Sequence, residues 1–155
     1  MKLQLVWIGK TKSAPVQQLI QEYLDRVGKF VSVEVIELRD RRDVGGDARR
    51  IVEKEGDDII SRTGAADYSI ALDERGREFD SHKLAELIEK HRMAGTKLVT
   101  FVIGGHYGLS DAVRNRANLV LAMSRMTLTH ELARVLLLEQ IYRAFAIIHD
   151  LPYQK

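Results

Sequence analysis

The chain has 155 residues, a formal charge of +2 and no cysteine, and 45% of its residues are hydrophobic. This composition is typical of one globular domain with a buried core, and the missing thiols exclude disulfides, cysteine nucleophiles and thiolate metal sites. The small positive charge permits an RNA partner without indicating one, and the short apolar run in MKLQLVWIGK leads us to expect no signal peptide. No stretch has the length needed to cross a bilayer, so we expect a cytoplasmic protein.

The first part of the chain predicts strands and helices in alternation. Apolar residues at helical spacing and β-rich runs place a strand at 2–9, a helix at 14–30, a strand at 31–38 and a helix at 48–62. The segment RDRRDVGGDARR at 39–50 is polar and contains glycine, which predicts a loop. Because its charges are mixed in sign, a solvated loop is the first interpretation and an RNA contact the second.

The second part continues the alternation. The patterns predict strands at 68–73, 97–105 and 119–124, and helices at 80–95, 110–117 and 130–150, with an acidic loop after the first of these strands. Strand 97–105 is apolar along its whole length, as expected for a strand covered on both faces. The chain is therefore predicted to be a single α/β domain with a mostly parallel sheet and helices on both faces.

The stretch FVIGGHYGLS combines a buried strand with Gly104, Gly105 and Gly108, and a helix follows it. Glycines at such a turn let backbone N–H groups approach a ligand, and a helix N-terminus favours negative charge. The spacing is not that of a dinucleotide fingerprint, and the region that follows offers no acidic residue for a ribose. A tight turn that needs positive φ explains the same glycines, so both interpretations stay open.

Three strand ends are expected to meet at one edge of the sheet. They are the end of the third strand at Leu72, the glycine loop after Gly104, and the loop from Met123 to Leu128. Ligands of open α/β sheets bind at such carboxyl ends. The chain has no nucleophile elbow, no Walker loop and no H-E-x-x-H motif, so a pocket built mostly from backbone favours a cofactor that brings its own reactive group.

The last helix has polar residues set into an otherwise apolar sequence. His130 and Arg134 share one side, while Glu139 and Arg143 lie nearly opposite, at the i,i+4 spacing of an ion pair. A helix buried nearly all round is expected to pack against a partner as well as the sheet, which favours a dimer.

Three residues near the end of the chain are candidates for chemistry. His130 is a candidate general base, although a histidine at a helix start is more often structural. Arg134 is predicted to grip phosphate. Tyr153, in the tail LPYQK, is predicted to stack on a base unless the tail is simply solvated.

Together, FVIGGHYGLS, LAMSRMTLTHELARVLLLEQIYRAFAI and the ending PYQK resemble the RlmH family of SPOUT methyltransferases, also called YbeA-like. MKLQLVWIGK, EKEG at 53–56 and IALDERG at 70–76 extend the resemblance over the whole chain. Each motif is weak alone, but their combination is specific.

The resemblance implies a homodimer with a trefoil knot over residues 68–155, S-adenosylmethionine as methyl donor and no metal. The implied substrate is N3 of a pseudouridine in 23S rRNA, presented by the assembled ribosome. For the mechanism we expect His130, Arg134 and Tyr153 to be the catalytic candidates, with Arg134 supplying positive charge, and we expect Arg134, Arg143, Tyr153 and Lys155 to contact RNA. The implied cofactor contacts are Leu72, Gly104, Gly105, Gly108, Met123, Ser124, Arg125, Met126, Thr127 and Leu128. On this view the glycines make room for the cofactor, and one subunit's tail completes the other's pocket.

The chain departs from the family pattern at three places. Thr129 stands where family members commonly have proline, and Pro152-Tyr153-Gln154 replaces a Pro-Tyr-His ending. His106 and Tyr107, inside the glycine loop, are also unusual for the family. The rival hypotheses are a non-catalytic nucleotide- or RNA-binding dimeric module, whose glycine loop holds a phosphate, and a purely structural dimerisation protein.

Overall fold

The computed structural model describes residues 1–44 and 46–153, which form five strands and five α-helices in alternation. The strands are β1 (Lys2–Ile8), β2 (Ser32–Leu38), β3 (Tyr68–Glu78), β4 (Leu98–Ile103) and β5 (Leu119–Ala122). The helices are α1 (Ala14–Val27), α2 (Ala48–Thr63), α3 (Ser81–Met93), α4 (Asp111–Arg116) and α5 (His130–Ile148), with a short 3-10 turn at Arg41–Val44. None of these helices is long and apolar enough to span a membrane.

The strands form one sheet in the order β2-β1-β4-β3-β5, and every pair in it is parallel. The predicted parallel α/β architecture is therefore confirmed. Because the strands run the same way, their carboxyl ends meet at one edge of the sheet. The ends of β3, β4 and β5 lie side by side there, as the sequence predicts.

Each face of the sheet has its own core. Side chains at alternate positions of β1, such as Leu5 and Trp7, join Phe101 and Leu137 in the larger core, which α1, α3 and α5 cover. The smaller core, on the side of α2 and α4, consists of Ile8, Ile59, Ala71, Val102, Leu109 and Val113. Because β4 contributes to both cores, its continuous apolar sequence is explained.

Side-chain caps mark where several helices begin. Asp80 accepts a hydrogen bond from the backbone N–H of Lys83, which confirms the predicted start of α3. Thr129 accepts one from the backbone N–H of Leu132 at 3.3 Å and so caps α5. Ser13 occupies the N-cap position of α1 but makes no side-chain cap bond. The cap at Thr129 gives a physical role to a residue that departs from the family pattern.

Strand β3 is longer than the sequence predicts. It was expected to end at Asp73, yet it continues to Glu78 through an irregularity, after which Arg77 pairs again with β5. The close approach depends on Gly76, because a Cβ placed there would lie 2.6 Å from the backbone carbonyl of Val120. The acidic segment after Leu72 therefore stays paired with β5 instead of leaving the sheet as a loop.

Candidate functional site

A cavity of about 590 Å³ opens at the carboxyl ends of β3, β4 and β5. Three loops line it, together with His130 and Ala133 from the start of α5. Its volume falls in the range of about 300–1,000 Å³ that is common for small-molecule sites. A second cavity, of about 250 Å³, lies between α2 and α4, away from these strand ends.

The structure brings nearly all the predicted cofactor contacts to this cavity. Those that line it are Leu72, Gly104, Gly105, Gly108, Met123, Ser124, Met126, Thr127 and Leu128. Arg125 is the exception. Its Nη1 donates to the Glu74 carbonyl at 3.0 Å, and its Nε lies 3.3 Å from the Glu78 carboxylate. Arg125 thus fastens its loop to β3 instead of facing the cavity.

The glycine loop closes on itself. The N–H of Gly108 donates to the carbonyl of Gly105 at 3.1 Å, and Gly108 has a φ of +81°, which favours glycine. A Cβ on Gly104 would lie 2.6 Å from the carbonyl carbon of Gly108. For Gly104 the close contact is therefore with the loop itself, whereas a Cβ placed on Gly108, which lines the cavity, would have nothing within 4 Å. The space that Gly104 leaves is occupied by the loop's own backbone, although the loop still forms a wall of the cavity.

Asp73, at the end of the predicted third strand, and Glu74, in the acidic segment after it, also line the cavity. The Oε2 of Glu74 accepts a hydrogen bond from Thr127 Oγ1 at 3.2 Å, which joins the loop after Leu72 to the loop before α5. Asp73 pairs with Arg75 and Arg114, at 2.9 and 3.1 Å. Burial acts to raise the pKa of Asp73, but the hydrogen bonds and charge of these arginines outweigh it and leave the pKa lowered. The missed signal was the acidic run directly after a predicted strand end.

His130 lines the cavity from the first position of α5. Burial lowers its pKa, and the nearby charge of Arg134 lowers it further, with smaller effects from Arg42 and His106 and an opposing one from Glu131. The imidazole is therefore neutral near pH 7. A neutral imidazole offers a lone pair that accepts a proton.

Arg134 does not occupy the exposed position expected of a phosphate contact. It is fully buried, donating from Nη2 to the Ile8 carbonyl at 2.6 Å and from Nη1 to Thr11 Oγ1 at 2.7 Å. Its guanidinium carbon lies 5.0 Å from the centre of the Trp7 ring. In this arrangement Arg134 is not exposed to RNA, contrary to the prediction. One turn into α5, its side chain points inward to the end of β1.

Arg143 and Tyr153 lie at the other end of α5. Arg143 forms the predicted ion pair with Glu139 and sits 5.1 Å from the centre of the Tyr153 ring. The Tyr153 hydroxyl lies 3.4 Å from both the Tyr23 hydroxyl and Glu139 Oε1, so this part of the tail is packed rather than solvated. Arg143 is about 20 Å along the helix from His130, at a rise of about 1.5 Å per residue. Lys155, a predicted RNA contact, and Gln154 lie outside the described residues.

One side of α5 is not covered by its own chain. Leu132 and Leu136, one turn apart, are 49% and 42% exposed. The expectation that α5 is buried nearly all round therefore does not hold within a single chain. The exposed side is apolar, as the sequence predicts for a helix that packs against a partner.

Comparison with known proteins finds relatives that match this chain over nearly its whole length. A family model described as "Predicted SPOUT methyltransferase" matches residues 1–154. A protein from Trichlorobacter lovleyi is 44% identical over 153 residues, covering 99% of each chain, and one from Geobacter sulfurreducens is 44% identical over 154 residues, also covering 99% of each. A Streptococcus thermophilus protein is 40% identical over 159 residues, covering 100% of both chains. All three are named "Ribosomal RNA large subunit methyltransferase H".

Solved structures share the fold at low sequence identity. A methylase family protein from Haemophilus influenzae aligns with a TM-score of 0.62 at 15% identity, over 99% of this chain and 70% of its own. A methyltransferase from Legionella pneumophila, described as a complex with the bound cofactor SAM, aligns with a TM-score of 0.56 at 13% identity, over 93% of this chain and 66% of its own.

Proposed function

Since the chain belongs to the SPOUT methyltransferase family, we propose that it transfers a methyl group from S-adenosylmethionine to the 23S rRNA of the large ribosomal subunit. The observation that carries this proposal is the cavity where β3, β4 and β5 end. It lies in a chain that matches, over nearly its full length, relatives named for this activity.

The cavity fits S-adenosylmethionine in its chemistry. Leu72, Ile103 and Leu121 supply an apolar wall that would hold the adenine ring. The backbone of the glycine loop and the side chains of Ser124 and Thr127 would supply hydrogen-bonding groups. When bound, this cofactor supplies a methyl group that its sulfonium has already activated. The protein's own contribution is then to orient the target atom and to manage one proton.

We place the methyl group on N3 of a pseudouridine in the assembled ribosome, as the family resemblance implies. N3 of this base carries a proton that must leave. His130 lines the cavity and is neutral near pH 7, so its imidazole is our candidate to hold that proton. In this proposal Arg134 acts through His130 and β1 rather than by touching RNA, because its guanidinium is buried.

The proposal includes a homodimer in which the exposed side of α5 meets a second copy. Leu132 and Leu136 provide the apolar contact, and Leu19 on α1 is another large apolar side chain that is 43% exposed. Tyr153 and Arg143 are too far along α5 to reach the cavity of their own chain. We therefore propose that they complete the cavity of the partner and contact RNA there.

The proposed fold also contains the trefoil knot over residues 68–155. Its support is the order of the sheet, in which the chain passes from β4 across β3 to reach β5 at the edge. Helix α5 then returns to pack against α1 and α3. Such a path brings the ends of β3, β4 and β5 around one cavity.

The test is transfer of labelled methyl from S-adenosylmethionine to assembled ribosomes that lack this modification. Separated subunits and free 23S rRNA serve as parallel substrates. Label on a single pseudouridine of the assembled ribosome is the expected result. A protein that binds ATP or NAD in preference to S-adenosylmethionine and transfers no label would support the rival, a non-catalytic nucleotide-binding module.

A mixing experiment tests the shared active site. One chain ends at Leu151 and keeps an intact cavity, while the other keeps its tail and carries a damaging change in the cavity loop at Gly104. Each homodimer is expected to be inactive, whereas the heterodimer regains one complete site if the tail acts on its partner. A heterodimer as inactive as both parents would show that tail and cavity must belong to the same chain.

A further inference from the structure

Glu55, on α2, is a buried carboxylate that the proposed function has not used. It is 2% exposed, and its Oε1 accepts a hydrogen bond from the backbone N–H of Arg41 at 3.0 Å. Its Oε2 has no hydrogen-bond partner among the residues that the structure describes. Burying a carboxylate oxygen in this way is costly, so a structural role alone is poorly served by an acidic residue here.

The same carboxylate lies directly behind the glycine loop. A Cβ placed on Gly105 would lie 2.7 Å from Glu55 Oε2 and 3.1 Å from Ile8 Cγ2. Gly105 also lines the cavity. One oxygen of Glu55 therefore holds the turn at Arg41–Val44, while the other abuts the back of a wall of the cavity.

The turn that Glu55 holds carries two arginines in different surroundings. Arg41 is bound by Asp58, with Nη2 2.7 Å from the carboxylate. Arg42 pairs with Asp40 at 2.6 Å and remains partly exposed. Asp40 in turn lies beside the end of β1, since its Cβ is 3.5 Å from a Cβ placed on Gly9.

Arg42 lies at the same edge of the sheet as the cavity, because the turn at Arg41–Val44 follows the carboxyl end of β2 and Glu55 joins that turn to the glycine loop. Its hydrogen bonds to Asp40 raise its pKa, and the charges of Asp40 and Glu55 act on it in the same direction. Its own charge acts on His130. Tyr107 and His130 line the cavity, the first from the glycine loop and the second from the start of α5.

We propose that Glu55 is a positioning residue that holds the Arg41–Val44 turn against the glycine loop, so that Arg42 stands at the cavity mouth to bind an RNA backbone phosphate. The inference rests on the proposed function, because it assigns Arg42 to the RNA substrate of that site. A guanidinium held on one edge by Asp40 keeps N–H donors free for a phosphate, and its planar fork suits that geometry.

The experiment compares Glu55→Ala, Glu55→Gln and Arg42→Met in the full chain. Glu53→Gln is the matched control, because Glu53 lies on the same helix but is exposed and forms an ion pair with Arg49. For each variant, kcat and KM for ribosomes are measured at several salt concentrations. Binding of S-adenosylhomocysteine without ribosomes and the unfolding midpoint are measured separately.

Glu55→Ala and Arg42→Met are expected to raise the KM for ribosomes with little change in kcat. Each should lower the slope of log KM against log salt by about 0.7–0.9, the loss of one phosphate contact. The double variant should be no worse than either single one. Glu55→Gln keeps an oxygen that accepts from Arg41, so it should restore the KM, and Glu53→Gln should match the wild type.

Several outcomes would overturn the proposal. Arg42 is exposed, so Arg42→Met is expected to fold. If the slope of log KM against log salt is unchanged in that variant, Arg42 does not contact a phosphate. Additive effects of the Glu55 and Arg42 changes would show that the two act separately. A Glu55→Gln variant as defective as Glu55→Ala would show that the hydrogen bond to Arg41 does not matter. If the wild type neither binds S-adenosylhomocysteine nor transfers methyl, the proposed function fails instead, and the wild-type arm shows that on its own.

Discussion

Two arginines on α5, nine residues apart in the sequence, have opposite surroundings. Arg134, near the cavity, is fully buried and bound to the end of β1 through Ile8 and Thr11, with the Trp7 ring beside it. No carboxylate pairs with it among the described residues. Arg143, near the tail, is paired with Glu139 and keeps 17% of its side chain exposed beneath Tyr153.

The difference shows how position on one helix decides what a charge does. At Arg134 the guanidinium ties α5 to β1, and it also lowers the pKa of His130. At Arg143 the guanidinium packs against the ring of Tyr153, the last residue that the structure describes. We therefore expect changes at Arg134 to act mainly on stability and changes at Arg143 mainly on methyl transfer.

The largest effect is expected from Arg134→Met. This change leaves the buried Ile8 carbonyl and the Thr11 hydroxyl without their donor, and we expect the free energy of unfolding to fall by about 2–3 kcal/mol. Removal of a buried cation without a carboxylate partner relieves desolvation and reduces the loss. Urea unfolding at fixed protein concentration measures the result. A variant more stable than the wild type would show that desolvation outweighs the two hydrogen bonds.

The second effect tests the other arginine. Arg143→Met removes the ion pair and the cation beneath Tyr153, and we expect kcat/KM for ribosomes to fall at least about tenfold, because the tail loses its orientation. The free energy of unfolding should fall less than in Arg134→Met, because Glu139 keeps hydrogen bonds from the Gln140 amide and the Tyr153 hydroxyl. Arg143→Lys, which keeps the charge, is the control for transfer. If Arg143→Met transfers methyl as fast as the wild type, the tail is not part of the active site.

The order and type of every main element follow from the sequence, because most strands and helices have a clear apolar period and the others are long apolar runs. It missed the extension of β3 to Glu78, since Gly76 is informative only when the backbone of Val120 is known to lie against it. Such a close approach joins residues that are far apart in the sequence, so a local pattern does not reveal it. The local pattern at 73–78 is acidic and polar, and it predicts a loop.

The site was predicted less evenly than the fold. Contacts made by strand ends, such as Leu72 and Gly104, follow from parallel topology, and these line the cavity. The direction of a side chain does not follow in the same way. Arg134 is predicted outside and lies inside. Glu55 enters the sequence prediction only as part of the motif EKEG at 53–56, because nothing local indicates that this carboxylate lies behind Gly105.

A third, smaller effect concerns the cap that sets the cavity end of α5. Thr129→Ala removes the hydrogen bond that Thr129 accepts from the Leu132 N–H, and we expect a loss of about 1 kcal/mol in the free energy of unfolding. Thr129→Ser keeps the hydroxyl and should stay close to the wild type. Thr129 also lines the cavity, so affinity for S-adenosylhomocysteine is measured on both variants. Equal stability of the two variants would show that the cap contributes little.

The smallest predicted effect concerns the pKa of His130, which the charge of Arg134 lowers. Its pKa in the folded chain lies below the ordinary value of 6.5, first because of burial and then because of Arg134. Between the folded pKa and 6.5 the unfolded chain binds more protons, so stability rises with pH through this interval and falls on acidification.

Removing the charge in Arg134→Met should move the pKa of His130 back toward 6.5 and flatten that dependence. An NMR titration of the His130 ring measures its pKa in the wild type and in Arg134→Met. The signal that is lost in His130→Gln belongs to this ring. That assignment matters because burial also lowers the pKa of His91. Equal His130 pKa values in the wild type and Arg134→Met would mean that the buried guanidinium holds β1 without influencing the cavity, and its role would then be confined to stability.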